Sequence, residues 1–389
     1  MTDEGKGLAR ARELYQERSG RARQLKAKGA RVIGYPCVYV PVEMLSALDL
    51  VPYRSYGDIR EPVTEADRAL PTSFCPFMRS CFDCALKAKD DFVDGVVVAH
   101  SCDPQEKTAR LWESYLDYPY FHFVDVPGTV RPEAVEYFKG QLGDLKATLE
   151  AFTGQELSAE TLRSAIKSHN EQRALVRELY ELTKPAPPLV SGTEMLQVVK
   201  ATMSLPVAEG NELLREVIGE VQGRTTGGPE PKPVRLLVWS STLDDIAIMQ
   251  ILESGANVVM DESCGGIRPY RGEVKLTDDP LDGLARHYLG DVTCARTFFQ
   301  GADGETTKEY SQDLEKRFGY LKDVVEKWGI NAAILLLVRY CDPFAFEVPS
   351  LRDYFDAIGI PSIYIEYDYA EGALAPLRTR VEAFFETIG

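Results

Sequence analysis

Cysteine is the residue whose placement in this chain first suggests chemistry. The 389 residues include eight cysteines and only four histidines. Cys102 lies in VVVAHSCDP (Val96–Pro104) and Cys341 in LLLVRYCDP (Leu335–Pro343). Each follows a short apolar run with strand character and opens a helix-like stretch. Asp103 and Asp342 are the expected N-caps, with Pro104 and Pro343 at the first helical position. Ligands of open α/β sheets bind beyond the carboxyl ends of the strands. A helix N-terminus also favours a thiolate and any anionic group that thiolates hold. Cys264, in ESCGG, follows the candidate strand Asn257–Met260. Gly265 and Gly266 beside it would let a cofactor come close to the backbone. Cys37, in GYPCVYVP, follows the run Arg31–Tyr35. Cys75, in SFCPFMRS, lies where Ser73 is expected to cap a helix opened by Pro76, and Cys294 falls in the loop or short strand GDVTCART. Cys81 and Cys84 differ, being three apart on one face of an expected helix.

Three uses of these thiols compete. Free cysteine is among the most buried residue types, so plain burial is the default for any one of them. It accounts less well for six that gather at strand ends and helix starts. Zinc is the second use: Cys75, Cys81, Cys84 and Cys102 form a four-thiolate set, though without the spacing of a ribbon or knuckle. An iron–sulfur cluster between two folded domains is the third, because its thiolate ligands tolerate loose sequence spacing. Spacing alone leaves the last two open.

Polar neighbours add proton chemistry. Glu43 and Tyr39 flank Cys37, and His100 precedes Cys102 by two. Glu43 and His100 are the candidate acids, since a proton must follow each electron delivered to a substrate. Plainer roles stand beside these: a first-turn helix acid for Glu43 and a hydrogen-bonded core residue for His100. Arg268 and Arg271, in GIRPYRG, are read as solvated loop charges in preference to phosphate binders.

The elements that must position these residues alternate. Phe92–Ala99, Tyr120–Val124, Val234–Trp239, Asn257–Met260, Ala333–Val338 and Ser362–Ile365 read as strands. Asp103–Tyr115, Pro132–Phe152, Thr242–Glu253, Tyr310–Trp328, Pro343–Ile358 and Ala370–Ile388 read as helices. This is the grammar of parallel sheets covered by helices. Between the two sets lie only helices, over Ser158–Leu182, Thr193–Met203 and Glu209–Gln222, and then the linker-like GRTTGGPEPKP. The two Cys-Asp-Pro segments repeat, and each is followed at nearly the same offset by a strand that begins after a proline, Pro119 or Pro361. That repetition points to a duplicated domain. The expected fold class is therefore α/β, with two similar Rossmann-like parallel-sheet domains, a helical N-terminal arm and a helical middle segment. The expected bounds are 1–30 for the N-terminal helix, 31–154 and 234–389 for the two domains, 155–223 for the helical segment and 224–233 for the linker.

Composition agrees with two domains, since this length exceeds what one ordinary core supports. A hydrophobic content of 44% excludes wholesale disorder. No apolar run approaches the roughly 20 residues of a membrane span. The N-terminus has no apolar signal region, so the chain is expected in the cytoplasm, where thiols are seldom disulfides. A net charge of −16 argues against nucleic acid as a partner. Residues 1–31 are locally basic, and a solvated helix face is the expected reading ahead of docking to an acidic partner.

Taken in order, GYPCVYVPVEML, LPTSFCPFMRSC, VVVAHSCD, DESCGG and LLLVRYCDP resemble the benzoyl-CoA reductase / 2-hydroxyacyl-CoA dehydratase family, from about Ala30 to the C-terminus. The resemblance implies two similar α/β domains, a helical segment and an iron–sulfur cluster in the inter-domain cleft. The ligands common to the family match Cys75, Cys102 and Cys341. A branch with a double-cubane cluster uses three more, which match Cys37, Cys264 and Cys294. The implied cofactor is thus a double-cubane 8Fe-9S cluster or a single 4Fe-4S cluster, and no role carries over to Cys81 or Cys84. The segments around Cys75 and Cys102 are more similar to the smaller substrate-binding subunit of ATP-dependent benzoyl-CoA reductases than to a dehydratase subunit.

The implied activity is reduction of the aromatic ring of benzoyl-CoA or a related aromatic acyl-CoA. The chain shows no GxxxxGK[ST] motif or other phosphate loop. ATP would therefore be used by a separate iron–sulfur activator that passes low-potential electrons to this chain. Implied partners are that activator, a homologous family subunit in a heterodimer or homodimer, and the acyl-CoA. Three alternatives stand beside this: a 2-hydroxyacyl-CoA dehydratase subunit, a homodimeric double-cubane reductase of small unsaturated molecules, and a non-catalytic electron-transfer subunit.

Overall fold

Strands that are apolar at every position need cover on both faces, and the central strands here are of that kind. In a computed structural model describing residues 6–297 and 309–388, GVVVA (Gly95–Ala99) and AAILLLV (Ala332–Val338) are buried throughout. The chain begins with α1 (Lys6–Gln16) and α2 (Gly20–Ala27). The first sheet region follows as β1 (Arg31–Tyr35), α3 (Val42–Ser46), β2 (Leu50–Arg54), α4 (Pro76–Leu86), β3 (Gly95–Ala99), α5 (Asp103–Tyr115), β4 (Tyr120–Val124) and α6 (Pro132–Thr153). Three helices come next: α7 (Ala159–Glu181), α8 (Gly192–Thr202) and α9 (Val207–Gln222). The second sheet region is β5 (Val234–Ser240), α10 (Ile246–Leu252), β6 (Ala256–Glu262), α11 (Pro280–Gly290), α12 (Tyr310–Trp328), β7 (Ala332–Val338), α13 (Asp342–Ala357), β8 (Ser362–Tyr367) and α14 (Leu374–Ile388).

The repeat read from the two Cys-Asp-Pro segments is a repeat of topology. The sheets run β2-β1-β3-β4 and β6-β5-β7-β8, the same order twice. Every pairing is parallel. The fold is therefore α/β with two similar parallel-sheet domains. No helix among the described residues is long and apolar enough to cross a membrane.

Local chemistry explains where the elements begin and end. Ser191 and Glu194 form a reciprocal capping box at the start of α8, and Ser158 caps α7 through Thr161 N. The expected helix Thr242–Glu253 starts only at Ile246, because the Asp245 carboxylate accepts from Ala247 N (2.8 Å). The strand expected over Phe92–Ala99 starts at Gly95, opposite Tyr120. A Cβ at Gly95 would lie 2.4 Å from the Tyr120 carbonyl, so only glycine lets the two strands close there. β2 escapes a pattern reading because it carries Pro52, which an edge strand tolerates. The linker residues before β5 are tied to β6: Asn257 Oδ1 accepts from Lys232 N (2.8 Å) and Asn257 Nδ2 donates to Glu230 O (3.0 Å).

The basic N-terminal arm is two helices where one was expected, and it is neither free nor simply solvated. Residues 1–5 of that expected helix lie outside the described residues. Glu220 Oε2 accepts from the first backbone N–H groups of α1, at Gly7 (2.9 Å) and Leu8 (3.1 Å). Arg10 pairs with Glu216 (3.1 Å) and Arg21 with Glu209 (2.6 Å), both acids of α9. The arm's charge is thus met by the chain's own helical segment and, through Arg23 with Asp91 and Lys26 with Asp94, by the first sheet region.

The pin that joins the parts is Glu43, on α3, which has no exposed surface. Arg173 of α7 donates a charge-assisted hydrogen bond to Oε1, and the Tyr288 hydroxyl of α11 donates to Oε2 (2.7 Å). One carboxylate therefore binds the first sheet region, the helical segment and the second sheet region. Burial pushes its pKa up, but Arg173 and the two hydrogen bonds outweigh burial and hold it at about 2. Removing one partner of such a buried pair strands the other charge. Glu43→Gln is expected to lower unfolding stability by about 3–5 kcal/mol, read as a lower denaturant midpoint. The pH dependence has a defined sign. The carboxyl's contribution is complete above its ordinary value of 4.5 and is lost as pH falls toward 2. A Glu43→Gln protein should lack that component in an acid unfolding series.

Candidate functional site

Six cysteines line one cavity: Cys37, Cys75, Cys102, Cys264, Cys294 and Cys341. Its volume is about 90 Å³. The remaining wall is Phe77, Met78, Val338 and Phe344 on the apolar side, with Ser101, Gln105, Ser241, Thr242, Arg54 and Arg296 among the polar groups. Among the described residues no carboxylate and no imidazole lines it. The thiols arrive from both sheets. Cys37 follows β1 and Cys102 follows β3, while Cys264 follows β6 and Cys341 follows β7. The cavity therefore sits beyond the strand carboxyl ends, where open sheets bind their ligands.

Three of the six are helix N-caps. Cys75 caps α4, Cys102 caps α5 and Cys341 caps α13, each with a proline in the first helical turn. This corrects the expected caps: Ser73 stays outside α4, and Asp103 and Asp342 are the first helical residues of α5 and α13. None of the three sulfurs closes a full capping hydrogen bond. First-turn N–H groups still favour their thiolate forms, from Met78 and Phe77 for Cys75, Gln105 for Cys102 and Phe344 for Cys341. Tyr340 adopts a left-handed backbone (φ 61°) that turns the chain between β7 and Cys341.

Burial dominates the thiol electrostatics. It raises Cys37 and Cys75, lifts Cys102 to about 12 and raises Cys341 well above the usual range. Cys264 goes the other way. A hydrogen bond from Cys294, with Arg268 beside it, draws Cys264 down while the same bond and burial drive Cys294 up. The two share a proton and titrate as a pair. Arg268 Nη1 lies 3.4 Å from Cys264 Sγ. The raised thiols, Cys37, Cys75, Cys102 and Cys341, would give up their protons to a metal that takes the proton's place. Among the described residues no three cysteine, histidine or acidic groups close around a single ion. The sulfurs instead come from six separate segments, with Cys264 and Cys294 close enough to share a hydrogen bond.

Cys81 and Cys84 are not part of this wall. They line a separate cavity of about 600 Å³ with Tyr56, Tyr369 and Arg18. The four-thiolate set Cys75, Cys81, Cys84 and Cys102 is thereby divided between two cavities. The rings of Phe77 and Tyr369, 5.5 Å apart, stand between them. A wider cleft of about 670 Å³ adjoins the six-cysteine cavity and shares Cys102, Arg296 and Pro343 with it.

The polar residues singled out in the sequence fall elsewhere. Glu43 is absent from the cavity wall and is kept ionised by Arg173, which leaves it no proton to give near neutral pH. His100 turns away from the wall and bonds through Nδ1 to Asp125 (2.7 Å). Gly265 and Gly266 do leave space, but the chain itself fills it. A Cβ at Gly265 would lie 1.7 Å from Lys200 Nζ, and one at Gly266 would lie 2.2 Å from the Asp261 carbonyl. Arg268 and Arg271 are not solvated loop charges. Arg268 is fully buried and donates to Ser240 O (3.1 Å) and Glu262 O (2.7 Å), while Arg271 pairs with the Glu262 carboxylate. Sequence reasoning missed Arg54, Gln105 and Arg296. Arg54 ends β2, the strand that Pro52 disguises, whereas Gln105 carried a signal in its place three residues after Cys102 in a first helical turn.

Known proteins resemble this chain over nearly its whole length. A family model described as 2-hydroxyglutaryl-CoA dehydratase, D-component, matches residues 37–388. A benzoyl-CoA reductase subunit of Thauera aromatica is 28% identical, over 98% of this chain and 97% of its own. The (R)-phenyllactyl-CoA dehydratase beta subunit of Clostridium sporogenes is 24% identical, over 94% of each chain. The beta subunit of (R)-2-hydroxyglutaryl-CoA dehydratase of Acidaminococcus fermentans is 22% identical, over 93% of this chain and 94% of its own. With six thiols gathered at the paired sheet ends and a family match that begins at the first of them, the chain belongs to the 2-hydroxyglutaryl-CoA dehydratase D-component family.

Proposed function

We propose that the six-cysteine cavity holds an iron–sulfur cluster. We further propose that the chain is the iron–sulfur subunit of an ATP-dependent reductase of benzoyl-CoA or a related aromatic acyl-CoA. The observation that carries this reading is the donor set: six thiols on separate segments around one cavity, with no carboxylate or imidazole lining it among the described residues. Thiolates are the ligands of iron–sulfur clusters, and each binds its own iron, so they need not meet at one point. The fit extends to charge, because Arg54 and Arg296 line the wall and Arg268 touches Cys264. Such a cluster supplies one-electron chemistry at low potential. Cys75, Cys102 and Cys341 would hold it from the three helix N-termini, and Cys37, Cys264 and Cys294 from the loops between. Phe77, Met78, Val338 and Phe344 keep water from the sulfurs. The adjoining cleft, whose wall carries Arg296 and the Arg317–Glu347 pair together with Asp103, Asp313 and Asp342, is the space beside the cavity in which an acyl thioester would lie.

The similar proteins are subunits of larger enzymes, which supports a homologous partner for this chain. The sequence offers no phosphate loop, so ATP hydrolysis belongs to a separate activator. The second reading is a 2-hydroxyacyl-CoA dehydratase subunit, favoured by the dehydratase beta subunits among the relatives. Six thiols tip the balance toward reduction. They would support a cluster able to hold more than one electron, whereas dehydration borrows a single electron and returns it.

Metal analysis of anaerobically purified protein should find iron and sulfide, at about eight irons per chain for a double cubane or about four for one cubane. Zinc alone, under conditions that support cluster assembly, would overturn the reading. Cys102→Ser and Cys341→Ser should lose most of that iron, while Cys81→Ser and Cys84→Ser should retain it. The two activities separate by electron count. With partner subunit and activator present, a reductase consumes reductant in proportion to product, whereas a dehydratase needs it only for priming. Turnover of a 2-hydroxyacyl-CoA after one priming pulse would favour the second reading.

A further inference from the structure

Arg54 is a buried cation without an anion. It closes β2, is 4% exposed and lines the six-cysteine cavity. Its backbone N–H donates to Met203 O (3.1 Å), and its guanidinium stands 5.6 Å from the Tyr35 ring centre. Nη1 has no hydrogen-bond partner, and no carboxylate pairs with the side chain among the described residues. A guanidinium taken out of water without a counter-ion is strongly unfavourable unless something negative arrives. The other cations at this site are already engaged. Arg268 is committed to two carbonyls and Glu262, and Arg296 donates to the carbonyls of Val126 and Pro127.

A second free donor faces the same cavity. Gln105, 5% exposed in the first turn of α5, accepts from the Ser101 hydroxyl through Oε1 and leaves Nε2 without a partner. The two side chains come from different elements of the first sheet region, so one local irregularity does not explain both. We propose that Arg54 and Gln105 are the countercharge and the amide donor for the anionic group the cavity takes, and that they set its reduction potential. This rests on the iron–sulfur reading above. A cluster held by thiolates is negative and grows more so on reduction. A fixed cation and an N–H donor in a low-dielectric wall therefore stabilise the reduced form more than the oxidised one. Arg54 acts as a positioning and tuning residue, through charge and not through ligation. The proximity is consistent, since its field is felt at both Cys37 and Cys264.

The test is an EPR-monitored redox titration of the anaerobically purified full chain, with iron content measured in parallel. At wild-type iron content, Arg54→Met should move the cluster midpoint to more negative potential. Arg54→Lys should lie between Arg54→Met and wild type, and Gln105→Leu should shift less in the same direction. Unchanged midpoints in both Arg54→Met and Gln105→Leu at full iron content would overturn the inference and point to waters as the partners of the two free N–H groups. If Arg54→Met fails to retain iron, Arg54→Lys decides. Retention by the lysine variant supports a countercharge role, whereas loss in both variants with an unshifted Gln105→Leu counts against it. A wild-type protein that binds no iron under these conditions would instead bring down the iron–sulfur reading itself.

Discussion

Six thiols that share one cavity lie between Cys37 and Cys341 in the chain, so the cavity exists only while two separately folded sheets face each other. That relative placement is the constraint on which the rest of the molecule depends. Apolar packing joins the two, since each of the two core clusters includes residues of both sheet regions, and buried polar contacts add direction to that packing. Glu43 binds Arg173 and Tyr288 at one side. At another, Asp244 gathers the arm and the second sheet region: its carbonyl accepts from Tyr15 (3.0 Å) and Arg18 (2.7 Å), and its carboxylate accepts from Tyr369 (2.7 Å). Arg235, at the start of the second sheet, donates to the carbonyls of Thr183, Lys184, Pro185 and Trp328 and so fastens the helical segment. Buried contacts of this kind demand their geometry, because each polar group left alone costs more than the bond contributes. They fix a relative orientation that greasy surfaces alone would leave free to slide.

The electrostatics of the cavity invert those of the whole chain. The net charge is −16, yet among the described residues the cavity wall carries Arg54 and Arg296 and no acid, and Arg268 reaches Cys264. The acids nearest the site lie on the adjoining cleft or are spent in ion pairs. Asp103 and Asp342 follow their cysteines as first helical residues, where they complement the dipoles of α5 and α13. Glu262 is consumed by Arg268 and Arg271. Positive helix ends and guanidinium groups around thiols form a setting that favours negative charge at the sulfurs.

Much of this was legible from the residues. The alternation of apolar runs and helical stretches and the repeated Cys-Asp-Pro correspond to elements seen in the fold. These are local signals, carried by periodicity and by proline and glycine. What was not legible depends on contacts between distant segments. Glu43 looked like an acid beside Cys37 because its partners lie far off, at Arg173 and Tyr288. Gly265 and Gly266 looked like room for a cofactor because nothing local announces that Lys200 and Asp261 fill the space. The same limit hid Arg54: a strand interrupted by Pro52 reads as a turn until its pairing with β1 is known. The cysteine caps failed for a different reason. Asp is the commoner cap, so propensity chose Asp103 and Asp342, while the fold gives that position to sulfur.

Duplication explains the arrangement of the thiols and also where it departs from symmetry. Cys102 after β3 corresponds to Cys341 after β7. Cys75, between β2 and β3, corresponds to Cys294, between β6 and β7. The third pair is displaced by one strand: Cys37 follows β1, but its counterpart Cys264 follows β6, while Ser241 and Thr242 line the cavity after β5. Each half thus brings three thiols, and neither half encloses the cavity alone. Any group bound by both sets prefers the closed arrangement over every other, so its binding energy adds to the contacts at Glu43 that hold the halves together. Occupancy of the cavity and docking of the two sheets are in that sense one equilibrium.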